Sequence, residues 1–183
     1  MEGVVVRKRR KGIYILPNLF TLAALFGGSL DITYIGPNPT INAYKRLGPD
    51  TMAPHRSSWG YDNRTCGLRV PPSNTANRRL ENRIPSSDAN PYLAIAATLA
   101  AGYLGMVEGL TPTPAVDADA SLRGIELPRS LSESLSLFAA ATPLVEILGP
   151  VFCEAYRRVK EAEYETFMRT ISPWEREFLL LNV

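Results

Sequence analysis

The chain has 183 residues, of which 45% are hydrophobic and 21% charged, with a formal net charge of +2. That is enough apolar material for the core of one domain, with a charge content ordinary for globular proteins, and it excludes disorder as a description of the whole. Lys and Arg concentrate before residue 84 and Asp and Glu after it, yet neither stacking aromatics nor a recognisable nucleic-acid motif accompanies the basic half, so no nucleic-acid partner is expected.

From the N-terminus, RKRRKGIYILPNLFTLAALFGG (7 to 28) is a basic cluster followed by an apolar run broken by Pro17, Asn18 and Thr21. A membrane-spanning helix needs about 20 apolar residues. Ile13 to Leu30 falls short of that with a Pro-Asn pair inside it, and a small-residue cleavage site for a signal peptide is lacking. Membrane contact through residues 7–30 is therefore the less favoured reading, and 1–36 is expected to stand apart from 37–183. Gly36-Pro37-Asn38-Pro39 and Gly48-Pro49-Asp50 signal turns on either side of a short segment.

Residues 64–71 and 78–84 read as two strands joined by PPSNTAN, an antiparallel pair. Residues two apart on a strand share a face, so Arg79, Glu81 and Arg83 are expected to project together, with Leu80, Asn82 and Ile84 on the other side. Arg64 and Arg69 are an odd number apart, which places Arg64 in the loop before the strand. Asp88 or Asn90 can cap a helix with Pro91 in its first turn, and the Ala-rich run from Tyr92 to Val107 predicts a buried core helix. Pro, Asp and Ala from Thr111 to Pro128 predict a surface loop, and Thr142-Pro143 restarts helix. Phe152, Ala155, Tyr156, Val159 and Ala162 follow helical spacing with Arg157, Arg158, Lys160 and Glu161 opposite, an amphipathic packing helix with a solvated charged side. The fold class expected is α+β, with antiparallel strands packed against helices.

An arginine-rich face around one carboxylate suits anion chemistry: guanidiniums hold carboxylate or phosphoryl oxygens, and a carboxylate holds a hard cation that bridges them. Taken singly, Arg79, Glu81 and Arg83 are most simply a structural ion pair. Arg56 and Arg78 read as surface or supporting residues, Tyr61, Asp62 and Asn63 as turn residues, and Met52 as packing. Cys66 and Cys153 have neither metal-ligand spacing nor the density of a disulfide framework, and are expected as reduced, buried thiols. The single His55 has no Cys or His nearby in sequence, which excludes a catalytic triad and a histidine-rich metal site.

Four motifs in order, NPTINAYKRLGP (38 to 49), WGYDNRTCGLRVP (59 to 71), RRLENRIP (78 to 85) and DANPYLAIAATLAAG (88 to 102), with the closing EAYRRVKEAEYETFMRTISPWEREFLLLNV (154 to 183), resemble the C-terminal part of the glutamine synthetase catalytic domain. The resemblance includes the branch of glutamate-amine ligases such as gamma-glutamylputrescine synthetase. It implies that residues 37–183 form the C-terminal half of such a domain, in a cytoplasmic homo-oligomer that joins glutamate to ammonia or a small amine using ATP and Mg2+ or Mn2+. Amide formation from a carboxylate is uphill, and an acyl phosphate solves this by providing a leaving group; its transition states need fixed positive charge, which arginine supplies as a planar, permanently charged fork. By resemblance Arg46 holds the α-carboxylate of glutamate and Arg64 neutralises the phosphoryl group in transfer. Arg69 and Arg79 contact ATP phosphates, Glu81 ligates the metal ion, and Arg83 meets the reacting carboxylate.

Met52 stands where glutamine synthetase itself carries a flap glutamate that attracts ammonium. A methionine cannot take up that proton, which favours a larger, partly apolar amine, although Asp50 lies close enough to substitute. The remaining metal ligands and the small N-terminal β domain of complete family members have no counterpart, so a partial catalytic domain, inactive alone, is the expectation. The alternatives are a noncatalytic nucleotide- or glutamate-binding or oligomer-interaction module, and a membrane-associated fusion fragment. Residues 7–28 more weakly resemble the opening of phosphatidylserine synthase-type CDP-alcohol phosphatidyltransferases, whose spaced catalytic aspartates do not follow here.

Overall fold

Local capping chemistry sets most of the element starts in the computed structural model, which describes residues 39–45, 47, 51 and 53–180. The Thr40 hydroxyl accepts from the Ala43 amide and starts a single helical turn, α1 (Ile41–Tyr44), with Ala43 and Tyr44 buried. Asn90 starts α2 (Pro91–Val107), its carboxamide oxygen accepting from the amides of Tyr92 at 3.0 Å and Leu93 at 3.4 Å. Pro91 at the first helical position gives up no bond, because that amide has no partner within a helix. Of the two expected caps, Asn90 is the one used. Ser130 caps α3 (Leu131–Ala140) and Thr142-Pro143 restarts the chain as α4 (Thr142–Leu148). Gly149, at φ 92°, turns the chain from α4 into α5 (Pro150–Met168), a backbone angle suited to glycine. A capping box between Ser172 and Glu175 starts α6 (Pro173–Phe178).

Strands are short. β1 (Arg56–Ser57) pairs antiparallel with β5 (Ile125–Glu126), and β2 (Trp59–Tyr61), β3 (Leu68–Val70) and β4 (Glu81–Asn82) form a three-stranded sheet in the order β2-β3-β4. The expected antiparallel pair is β3 with β4, in the register Leu68↔Asn82 and Arg69↔Glu81. It is shorter at both ends than the sequence suggested, because a 3-10 turn at Thr75–Asn77, capped by Asn74, occupies the connection. β2 and β3 run parallel, with Trp59 opposite Leu68, a pairing that an all-antiparallel expectation did not contain. Residues 62–67 carry the chain back to the start of β3 instead of closing a hairpin, and Asp62 at φ 49° turns it out of the sheet.

α2 bridges sheet and helices. Its Ala97, Ala100 and Leu104 pack with Phe138 of α3, Leu144 of α4 and Cys153 of α5, while Ala101 sits against Trp59, Leu68 and Val70 of the sheet. A third cluster joins Tyr44 of α1 to Leu131 and Leu135 of α3, with Tyr156 and Tyr164 of α5 against it. The face of α5 that turns inward differs from the expected stripe. Cys153 is buried and Tyr156 meets Phe138 edge-on at 6.2 Å, but Phe152 and Val159 are 41% and 56% exposed and Ala155 and Ala162 face solvent. The Gly149 turn sets this rotation by bringing the Cys153 thiol to 3.9 Å from the Val145 carbonyl of α4. Both cysteines are buried free thiols. Among the described residues no single helix is long and apolar enough to cross a membrane.

Candidate active site

β3 holds Arg69 between the buried Leu68 and Val70, so its side chain leaves the core on the open face of the sheet. The antiparallel register places Glu81 directly opposite. Arg69 Nη1 donates to Glu81 Oε2 at 2.7 Å, and Arg83 Nη1 donates to the other oxygen, Oε1, at 3.0 Å. Arg69 also donates through Nε to Asp62 Oδ1 at 3.1 Å, and its Nη2 reaches the same oxygen. The result is a continuous row Asp62, Arg69, Glu81, Arg83. The two guanidiniums are only 15% and 20% exposed, and Arg83 Nε is buried without a hydrogen-bond partner. Arg69, and after it Arg83, hold the Glu81 carboxyl below the usual carboxylate range, while Asp62 and Glu81 push the Arg69 guanidinium further up. β4 is tied to the helix layer by Asn82 Nδ2, which donates to Thr98 Oγ1 of α2 at 3.2 Å.

The turn before β3 is built from its polar side chains. Asn63 Nδ2 donates to the carbonyls of Val116 at 2.9 Å and Ala118 at 2.7 Å, while Asn63 Oδ1 accepts from the Thr65 amide at 3.0 Å and the Thr65 hydroxyl at 2.7 Å. That hydroxyl in turn accepts from the Ala120 amide at 2.9 Å. Between these two clamps stands Arg64, exposed, with no hydrogen bond or ion pair among the described residues. It lines a cavity of about 210 Å³ with Thr51, His55, Arg56, Asp119 and Ser121. Arg56 is committed elsewhere, donating to the Gly124 carbonyl at 3.1 Å beside Glu126. Asp119 accepts from the amide and hydroxyl of Ser121 at 3.0 and 2.9 Å, which lowers its carboxyl below the usual range.

Of the expected site residues, the structure brings Arg69, Glu81 and Arg83 together and sets Arg64 in the preceding turn, where parity had placed it. The strand face expected for Arg79 is corrected, not its assignment to ATP. β4 begins only at Glu81, so Arg79 does not share its face by strand geometry; it is exposed and makes no ion pair among the described residues. Pairing with β3 is limited to the two registers above, which leaves residues 78–80 outside the ladder. Arg46, Asp50 and Met52 lie outside the described residues, although Thr51 and Ala53, on either side of Met52, line the cavity at Arg64. Sequence reasoning passed over Asp62 as an arginine partner and Asn63 and Thr65 as clamps. The signal for them was the Asn-x-Thr spacing itself, since such side chains readily bond nearby backbone. No group of three or more His, Cys, Asp or Glu side chains that could hold a metal ion occurs among the described residues. Glu81 is alone, with both oxygens taken by guanidiniums, so these residues do not form a metal site by themselves.

The fold and this cluster define an α+β module that gathers arginines on a strand pair and its preceding turn. The profile of the glutamine synthetase catalytic domain matches residues 30–179. The chain is 39% identical over 145 residues to type-1 glutamine synthetase 2 of Dictyostelium discoideum, covering 76% of this chain and 28% of that protein. It is 35% identical over 145 residues to the gamma-glutamylputrescine synthetase PuuA of Escherichia coli, covering 79% of this chain and 31% of PuuA. In three dimensions it resembles apo GmaS without ligand, with a TM-score of 0.75 and 32% identity over 88% of this chain and 38% of that one. The chain belongs to the glutamine synthetase catalytic-domain family. It spans about a third of the length of these relatives. Residues 7–28 lie outside both the family match and the described residues, and the comparisons give no support to their resemblance to a phosphatidyltransferase.

Proposed function

We propose that this chain supplies the arginine-rich part of a ligase site that joins glutamate to ammonia or a small amine, driven by ATP. In that reaction a γ-carboxylate oxygen of glutamate attacks the terminal phosphorus of ATP, ADP leaves, and γ-glutamyl phosphate forms. The amine then attacks the acyl carbon, loses a proton, and phosphate departs. Arg64 neutralises the phosphoryl group in transfer, Arg69 and Arg79 contact the ATP phosphates, Arg83 meets the reacting carboxylate and Arg46 the α-carboxylate. The observation that carries this reading is the half-buried Arg69–Glu81–Arg83 row in a chain of this family, where two guanidiniums are preorganised by Glu81 and, for Arg69, by Asp62. By the family resemblance Glu81 would hold a Mg2+ or Mn2+ ion together with ligands that the described residues do not supply. Met52, standing where glutamine synthetase itself carries a glutamate, favours an amine larger than ammonia, and among the relatives is a gamma-glutamylputrescine synthetase. A cytoplasmic, homo-oligomeric setting follows from the resemblance alone.

Titration of the full chain with a non-hydrolysable ATP analogue tests the binding half of the reading. Measurable affinity that weakens on adding salt and on Arg69→Ala is expected; no binding at millimolar analogue overturns it. The chain alone is expected to form no glutamine or γ-glutamyl amide from ATP, glutamate and amine, because the described residues hold no metal cluster. ADP release coupled to amide formation would show that reading of the missing ligands to be wrong. The saturation of both Glu81 oxygens by arginines favours one second reading, a noncatalytic nucleotide- or glutamate-binding module. Analogue affinity indifferent to divalent metal distinguishes it.

A further inference from the structure

Asp62 is anchored on both sides, and its carboxylate lies against Arg69. Its amide donates to the Val70 carbonyl at 2.9 Å, at the end of the parallel β2–β3 pair. Its neighbour Asn63 is tied to the carbonyls of Val116 and Ala118. Between these anchors the backbone of Asp62 takes φ 49°, the left-handed region that suits Gly, Asn and Asp. A carboxylate on so short a side chain, carried by a backbone held in this way, has little freedom to move. The arginine it meets leaves the sheet between the buried Leu68 and Val70.

A guanidinium has five N–H groups to donate. In Arg69, Nε and Nη2 both donate to Asp62 Oδ1, and Nη1 donates to Glu81 Oε2 at 2.7 Å. One N–H is left over on each terminal nitrogen. The row Asp62, Arg69, Glu81, Arg83 sets two carboxylates against two guanidiniums and so carries no net charge. What Arg69 offers an anion is therefore less an unbalanced charge than two donors with a fixed direction. Direction decides the strength of such a contact, because the planar fork matches phosphate oxygens in few orientations. Glu81 alone would hold one nitrogen and let the plane turn about that bond. The contact of Asp62 with Nε and Nη2 together fixes the plane.

We propose that Asp62 is a positioning residue for phosphate recognition: by holding Nε and Nη2 it orients the Arg69 guanidinium so that the remaining N–H of each terminal nitrogen meets a nucleotide phosphate. This role rests on the assignment of Arg69 to the ATP phosphates made above.

Asp62→Asn and Asp62→Gly in the full chain test it. Both substitutions remove the charge and both accept φ 49°, but only asparagine keeps an oxygen that can accept from Nε and Nη2. All variants are compared where circular dichroism shows them fully folded. Titration with a non-hydrolysable ATP analogue is expected to show Asp62→Asn binding about two- to ten-fold more tightly than Asp62→Gly, the cost of ordering one long side chain on binding. On an Arg69→Ala background the two are expected to agree within about two-fold, because a residue that acts through Arg69 then has nothing to orient. Equal affinities for Asp62→Asn and Asp62→Gly with Arg69 present overturn the proposal, in whichever direction both move. So does tighter binding by Asp62→Gly, which would make the carboxylate an occupant of the phosphate's place that the nucleotide displaces. A difference that persists without Arg69 also overturns it, leaving Asp62 as a support of the turn alone. An unaltered chain that binds no analogue at millimolar concentration refutes the assignment of Arg69 itself, and the role of Asp62 with it.

Discussion

Asn63→Ala removes the side chain that fixes the Arg64 turn, and its effect is calculable from the structure. Four hydrogen bonds disappear, two donated to Val116 and Ala118 and two accepted from Thr65. A neutral hydrogen bond contributes about 0.5–1.5 kcal/mol net, and partial exposure places these in the lower half, so a loss of about 2–4 kcal/mol is expected. Thr65→Val removes the hydroxyl, which donates to Asn63 and accepts from Ala120, a loss of about 1–2 kcal/mol. One bond is common to both changes, so the double variant should lose less than the sum, by about 0.5–1.5 kcal/mol. Urea unfolding followed by tryptophan fluorescence reads this out, because the Trp59 indole donates to the Thr113 carbonyl at 2.7 Å in the same loop. Binding of the ATP analogue should weaken in parallel, as Arg64 loses its clamps. Additive losses within about 0.3 kcal/mol, or an Asn63→Ala loss below about 0.5 kcal/mol, would refute the view that the 113–120 loop holds this turn.

Phe138 is 1% exposed between α2, α4 and α5, so Phe138→Ala should cost about 3–5 kcal/mol and lower the urea midpoint without changing its slope; a loss under about 1.5 kcal/mol would mean that the three helices close over the cavity. Glu81 has a folded-state value below the usual carboxylate range, so the stability it adds is present above that range and is lost as pH falls through the folded value. Glu81→Gln should therefore flatten the acid limb of the pH–stability curve, most visibly at low salt because the carboxylate is 38% exposed; an unchanged limb refutes the pairing. Burial pushes the Tyr44 and Tyr156 hydroxyls up to about 12 from 10.0. Their contribution is complete below pH 10 and declines as pH rises toward 12. Phenolate absorbance should show two phenols titrating at about 12 together with unfolding, and Tyr44→Phe should remove one of them.

What the sequence displayed well was chemistry completed within a few residues. The Asn90 cap with Pro91, the restart at Thr142-Pro143 and the loop position of Arg64 each depend on neighbours that can be read off directly. The Arg69–Glu81 pairing was legible for a different reason: one antiparallel register brings both to the same face. Arg79 shows the limit, since period-two alternation marks a face only where a ladder exists, and β4 stops short of residue 79. Asn63 shows another, because its acceptors at Val116 and Ala118 belong to a distant loop.

The misjudged face of α5 and the open face of α2 have a common cause. Periodicity identifies a buried side by contrast with a polar one, and both helices carry apolar residues on more than one side: Cys153 and Tyr156 inward with Phe152 and Val159 outward on α5, and Ala97 and Leu104 inward with Ile95 and Leu99 outward on α2. When two sides are equally apolar, only the neighbours decide which is covered. Helices of this composition suit an interior with layers on both sides, and within the described residues only one layer is supplied. The same reasoning applies to the site. In the row Asp62, Arg69, Glu81, Arg83 two carboxylates balance two guanidiniums, so the cation left for an anionic ligand in this part of the chain is Arg64, which makes no ion pair among the described residues.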